Sequence, residues 1–169
     1  MMSSEDDELS AIFSPDNKHI IAAYSNNTIV LWEIASGTEL KRFDVHGVFL
    51  CDEVFDTDGK YILSGGEGRR CVRLWEIATG KEVLNFAGEN GKDLRCAIFS
   101  PNGRFVATWG EDYTDDSLSL RNTATGKKYK CYNGSVRSAT FSHDSRYLAF
   151  ANDDKTIVLL ELDWEWEFP

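Results

Sequence analysis

The side chains able to do chemistry are few and scattered. The histidines are His19, His46 and His143, and no two of them fall in one stretch of the chain. The cysteines Cys51, Cys71, Cys96 and Cys131 are separated by 20, 25 and 35 residues, with no CxxC pair. Metal and thiol–disulfide centres need their ligands at short fixed spacings, so these cysteines read as reduced thiols, buried or half-buried in strands. No HExxH, GxSxG or GxxxxGK[ST] pattern occurs. The run Gly65-Gly66-Glu67-Gly68 looks like a phosphate loop only in composition. No helical pattern follows it to supply an anion-binding N-terminus, so it reads as a flexible turn. The expectation is a protein with no catalytic residue, no cofactor and no metal. What remains is recognition chemistry. Arg95 and Arg137 lie four residues before Phe99 and Phe141, and a guanidinium at each of two matching positions can pair bidentately with a carboxylate.

The elements that hold these side chains repeat. A phenylalanine opens a turn at Phe13 (FSPDNK), Phe55 (FDTDGK), Phe99 (FSPNGR) and Phe141 (FSHDSR), at separations of 42, 44 and 42 residues. A second landmark follows each one: LWEI at 31–34, LWEI at 74–77, LRNT at 120–123 and LLEL at 159–162. Four units of about 42 residues suit four-stranded propeller blades. Within each unit a run ends at the phenylalanine and a Pro/Asp/Asn/Gly turn follows. Second runs are then expected at 19–24, 61–64, 105–109 and 147–151, and third runs at 28–34, 71–77, 117–122 and 156–162. A Thr/Ser-Gly turn leads to a fourth run in the first three units, at 39–43, 82–86 and 127–132. All are short, rich in aromatic and β-branched residues and bounded by turn residues, and no segment keeps a helical period.

The FSPD and FSPNGR turns, the LWEIASG and LWEIATG segments and the third strands TIVLW and TIVLLE together resemble the WD-repeat family of β-propellers. The resemblance covers residues 9–162 and implies an all-β fold: four four-stranded antiparallel blades, about 9–43, 50–88, 94–133 and 136–162, in an open half-ring or a small closed ring. An acidic tail (1–8) precedes them, and a strand or tail (163–169) follows. The third-strand tryptophan is kept at Trp32 and Trp75 and replaced by Arg121 and Leu160. The aspartate of the tight loop before that strand is present only at Asp116 and Asp154. These departures imply blades held by apolar packing more than by the family's buried Asp–His–Ser/Thr–Trp network. Trp32 and Trp75 are expected between neighbouring blades, and Phe13, Phe55, Phe99 and Phe141 are expected to be structural. The resemblance also places the loops between strands two and three, and between blades, on one face. Phe49, Arg95, Tyr113 and Arg137 then become the expected partner-binding residues.

Charge limits the partners. The net charge is −10, and the chain ends contribute −8 of it through Glu5, Asp6, Asp7, Glu8, Glu161, Asp163, Glu165 and Glu167. An acidic chain without a basic cluster is a poor match for nucleic acid. No apolar run approaches a membrane span, and the start lacks a signal-peptide pattern. The expected function is a non-catalytic, cytoplasmic protein–protein interaction scaffold binding other proteins through its loop-rich face. The alternatives are an enzyme or ligand-binding propeller with a small-molecule site in its channel, or the C-terminal blades of a larger signalling protein. Four units are few for a ring, which raises a further expectation: two copies completing an eight-bladed ring.

Overall fold

A computed structural model describes residues 8–45, 55–65, 71–87, 94, 96–110 and 118–162. Every regular element among them is a strand. Blade 1 is a meander of β1 (Glu8–Phe13), β2 (His19–Tyr24), β3 (Thr28–Glu33) and β4 (Glu39–Asp44), hydrogen-bonded in that order. Blade 2 shows β5 (Tyr61–Ser64), β6 (Cys71–Glu76) and β7 (Lys81–Ala87), with a lone bridge from Phe55 to Ile62. Blade 3 holds β8 (Cys96–Phe99), β9 (Phe105–Trp109), β10 (Leu118–Asn122) and β11 (Lys128–Tyr132). Blade 4 holds β12 (Val136–Phe141), β13 (Tyr147–Asn152) and β14 (Ile157–Glu161). All pairs are antiparallel, and the expected runs match these strands to within a residue or two. Four strands per blade are seen in blades 1 and 3; blades 2 and 4 show three among the described residues.

The repeated turns are local hydrogen-bond devices. The hydroxyl of Ser14 donates to Asp16 and accepts from the His19 amide at 3.0 Å. Ser100 does the same with Asn102 and Phe105, and Ser142 with Asp144 and Tyr147. In blade 2 Asp56 takes the serine's place and accepts the amides of Lys60 and Tyr61 at 2.7 and 2.9 Å. The residue that closes each turn is left-handed: Asn17, Gly59, Gly103 and Ser145, with φ of 57°, 65°, 69° and 60°. Ser145 is the least suited of the four to that conformation. It is buried, and its hydroxyl accepts the Asn102 amide of blade 3 at 3.0 Å, which ties the blade 4 turn to its neighbour.

The β2–β3 turn of blade 1 and the β13–β14 turn of blade 4 share one side-chain device. Asp154 accepts both the amide and the hydroxyl of Thr156, and Asn26 makes the same two bonds with Thr28. An asparagine thus serves in blade 1 where an aspartate was sought. Opposite the third-strand tryptophan position each outer strand bulges by one residue, at Leu40, Val83 and Tyr129. Leu40 and Val83, outside the ladder pairing, are exposed.

Alternation in the strands gives each blade one face toward the preceding blade and one toward the next. Ile21, Ile29, Leu31 and Phe43 of blade 1 pack on Ile62 and Trp75 of blade 2. Leu63, Val72, Leu74 and Phe86 of blade 2 pack on Phe99 and Val106 of blade 3. Trp109, Leu118 and Leu120 of blade 3 pack on Leu148, Phe150 and Leu162 of blade 4. At the first seam the Phe43 and Trp75 rings meet edge to face, 6.2 Å apart. At the second, Arg121 stands at the tryptophan position and lies 5.9 Å over Phe86, the counterpart of Phe43. A cation thus replaces the indole against the same ring. At the third, Tyr132 fills the phenylalanine position and meets Phe150 at 6.0 Å.

Among the described residues the blades do not close a ring. Each third-strand leucine sits opposite a second-strand residue in the same register: Leu31 with Ile21, Leu74 with Leu63, Leu120 with Ala107 and Leu159 with Ala149. The first three are 6%, 1% and 0% exposed, whereas Leu159 is 65% exposed and Ile157, two residues before it, is 78% exposed. Among the described residues no next blade covers that face. At the other end, Ala22, Tyr24, Val30 and Trp32 form a separate buried cluster on the face of blade 1 turned away from blade 2. Trp75 lies in the cluster shared by blades 1 and 2, while Trp32 is buried in a cluster with residues of its own blade.

Candidate binding surface at the convergence of the blades

The phenylalanines that mark the repeat end β1, β8 and β12 and, in blade 2, make the lone bridge, each directly before the serine- or aspartate-clamped turn, and this brings them to one end of the blades. A cavity of about 360 Å³ opens there, lined by all four blades: Ile12, Phe13 and Pro15, then Phe55 and Thr57, then Phe99, Ser100 and Pro101, then Phe141 and His143. Phe99 and Phe141 are buried, Phe55 is half-buried and Phe13 is 62% exposed. Phe99 and Phe141 are thus covered by their neighbours, whereas Phe13 stands at the cavity with its ring open to solvent. Contiguous exposed apolar surface rimmed by polar groups marks interaction sites.

A second cavity of about 430 Å³ adjoins the first and shares Pro15, Phe55 and Thr57 with it. It runs outward between blades 1 and 2, past Asp16 and His19 to Leu31, Leu40 and Ile77. Together the two make a groove from the centre of the turn face toward the edge of the first seam. Asp16 lines it, and the clamped turns tune their carboxyls. The Ser14 hydroxyl and then the Lys18 amide hold the Asp16 carboxyl below its ordinary value, and its oxygen lies 3.5 Å from His19 Nδ1. In blade 4 the Ser142 hydroxyl and the Arg146 amide do the same for Asp144. Burial acts the other way on Asp56, raising its carboxyl despite the Tyr61 and Lys60 amides it accepts.

This chemistry suits binding. The Ser14 and Ser100 hydroxyls are committed to their own turns. Among the described residues no three His, Cys, Asp or Glu side chains come together as a metal site would require. The described cysteines are thiols rather than disulfides; Cys71 and Cys96 are half-buried, and Cys131, against expectation, is exposed on the outer strand β11. No helix among the described residues is long and apolar enough to cross a membrane.

Of the residues expected to bind partners on the loop-rich face, Phe49, Arg95 and Tyr113 lie outside the described residues. Arg137 is described: it lies near the start of β12, is largely exposed, and pairs through Nε with Asp153 of the β13–β14 turn in its own blade. The structure brings Asp153 to Arg137, across a strand pairing that sets Val136 opposite Asn152. The turn-face cavity itself was missed. Its signal was present in the repeat of a large aromatic at one fixed distance before each turn, which places four rings at the same end of four sheets.

The buried hydrogen-bond network is reduced to one link among the described residues. Trp75 donates through Nε1 to the Ser64 hydroxyl of β5 at 2.9 Å. In blade 1 the same register puts Ala22 where Ser64 stands, opposite Val30 as Ser64 is opposite Arg73. Trp32 Nε1 is buried with no partner among the described residues. Apolar packing carries the first blade, as the sequence implied, and a tryptophan–serine bond supplements it in the second.

Comparison with known proteins agrees with this geometry. The family described as "WD domain, G-beta repeat" matches residues 4–33, 37–76 and 125–160, well over half of the chain. Two of the matched segments begin before the outer strand of one blade and end in the third strand of the next, so the sequence repeat straddles the blades. Nuclear distribution protein nudF of Aspergillus niger is 25% identical over 95% of this chain and 41% of its own length. Pre-mRNA-processing factor 19 homolog 2 of Arabidopsis thaliana is 28% identical over 90% of this chain and 29% of its own length. Small ribosomal subunit protein RACK1 of Drosophila melanogaster is 32% identical over 88% of this chain and 62% of its own length. The chain thus spans less than two thirds of each of these relatives.

Proposed function

This chain belongs to the WD-repeat family, and on that premise we propose that it is a non-catalytic scaffold that binds other proteins by taking an apolar side chain of the partner into the cavity of the turn face. The observation that carries this reading is Phe13, a large exposed ring at a cavity walled by Phe55, Phe99 and Phe141. Interfaces gain most from an aromatic or aliphatic anchor buried in a pocket and ringed by polar groups. Here the groove supplies the pocket, and Asp16, Thr57 and His143 supply polar groups along it. Filling it would also remove the exposed face of Phe13 from water, at roughly 25 cal/mol per Å² of apolar surface.

The loop-rich face remains the other surface for partners, with Arg95, Phe49 and Tyr113 as its proposed contacts. Arg137 contributes less to that reading, because its guanidinium already has a carboxylate within the blade. A displayed library of short peptides with one large apolar residue each, selected on the purified chain, distinguishes the faces. Selected peptides should lose most of their affinity for a Phe13→Glu variant whose melting temperature is unchanged, and keep it for Arg137→Ala. Binding that ignores Phe13 and falls with Arg137→Ala would return the site to the loop-rich face.

A further inference from the structure

We infer that the open face of blade 4 is an interface for a second copy of this chain, the two blades packing face to face with their β14 strands antiparallel about a two-fold axis. The face is already built as an interface. Ile157 and Leu159 occupy the positions that Ile29 and Leu31, Val72 and Leu74, and Leu118 and Leu120 use to bury the next blade, and in those three pairs every residue is covered. Tyr147, Ala149 and Ala151 continue the same face on β13 by alternation, and all three are half-buried. Sheet faces of this kind pack about 10 Å apart.

The occupant follows from the other end of the chain. An eight-bladed ring of two chains needs blade 4 of one copy to meet blade 1 of the other. The face of blade 1 that would receive it carries Ala22, Tyr24, Val30 and Trp32, and it is already buried within the chain. Among the described residues, the large apolar side chains that a second copy leaves exposed on a sheet face turned outward are Ile157 and Leu159 themselves, so the pairing is of like with like.

Charge selects the direction. β14 has Asp154 and Lys155 in the turn before it, with Arg146 and Glu161 at its far end, all exposed. A two-fold axis along the strands would place Lys155 beside Lys155 and Glu161 beside Glu161. An axis across them, near Val158, places Ile157 over Leu159 of the other copy, Lys155 by its Glu161 and Asp154 by its Arg146. The stripe is complementary to itself in that arrangement alone.

Sedimentation velocity on the full chain over a wide concentration range tests this. The wild-type protein should shift from monomer to dimer as concentration rises, and Ile157→Ser/Leu159→Ser should stay monomeric with an unchanged melting temperature at low concentration. Lys155→Glu and Glu161→Lys should each weaken the dimer when run alone, because each sets like charges against each other twice. Mixed together they should dimerise again, since both contacts in the mixed pair become attractive. A wild-type protein that stays monomeric throughout would overturn the proposal, as would a dimer indifferent to Ile157 and Leu159. If the serine double variant fails to fold, the mixing experiment decides: no recovery in the mixture rules out the antiparallel pairing.

Discussion

Blade 2 and blade 4 carry leucines in one register, Leu74 and Leu159, and one is buried while the other faces solvent. The strands that bear them share one alternation, although β6 is paired on both sides and β14 only with β13 among the described residues. The difference lies outside each blade: blade 2 has Phe99 and Val106 of blade 3 against it, and among the described residues no such partner covers blade 4. A blade thus makes its ladder hydrogen bonds within itself but buries its apolar faces only against a neighbour. Stability in such a fold resides in the seams, and a seam depends on the chemistry of two faces.

The seam between blades 1 and 2 should be the most sensitive. Trp75→Ala removes the ring against Phe43 and the bond to Ser64, and should lower stability by about 3–5 kcal/mol, read by denaturant unfolding. Trp32→Ala should cost less, because among the described residues Trp32 has neither a hydroxyl partner nor a ring from another blade against it. Leu74→Ala should cost about 2–5 kcal/mol, and Leu159→Ala less than about 0.5 kcal/mol at concentrations where the chain is monomeric. Equal effects of the two leucine variants would break the comparison.

Smaller effects sharpen it. Ser64→Ala leaves the Trp75 N–H buried without a partner and should cost about 1–3 kcal/mol. The converse change, Ala22→Ser, offers the orphaned Trp32 N–H a hydroxyl in the same register and should gain up to about 1 kcal/mol. The smallest effect concerns Asp56. Its carboxyl is raised above the ordinary 3.8, chiefly by burial and also by Asp58 nearby. The native state therefore holds that proton more tightly than the unfolded chain does. The resulting stabilisation is fully present below 3.8 and is lost as pH rises through the folded value. Asp56→Ser restores the hydroxyl found at Ser14, Ser100 and Ser142, and should erase that slope in melting temperature against pH. Asp16, Asp144 and Asp154, all lowered, contribute in the opposite sense, their stabilisation being lost only as pH falls below the ordinary carboxylate range.

Much of the fold is legible in the residues alone. The four turns, the strand boundaries and the apolar faces follow from residues within about six positions of one another: a serine or aspartate reaching its own amides, a left-handed closing residue, strict alternation in the strands. The turn-face cavity is only half legible, because the spacing of Phe13, Phe55, Phe99 and Phe141 is plain but reads as packing alone. Phe13 and Phe141 end like strands and differ in exposure because different neighbours surround them. Arg121 shows the same limit: at a tryptophan position it reads as a lost contact, yet it stacks on Phe86 where an indole would.

By itself, then, the sequence determined the repeat, the blade and the chemistry of each face, since these rest on local hydrogen bonds and on side-chain alternation. Tertiary structure alone decided which faces are covered. Trp75 found Ser64 and Trp32 found Ala22, Arg137 met Asp153, and Ile157 and Leu159 met water. Burial is a property of two surfaces brought together, and one strand specifies only its own.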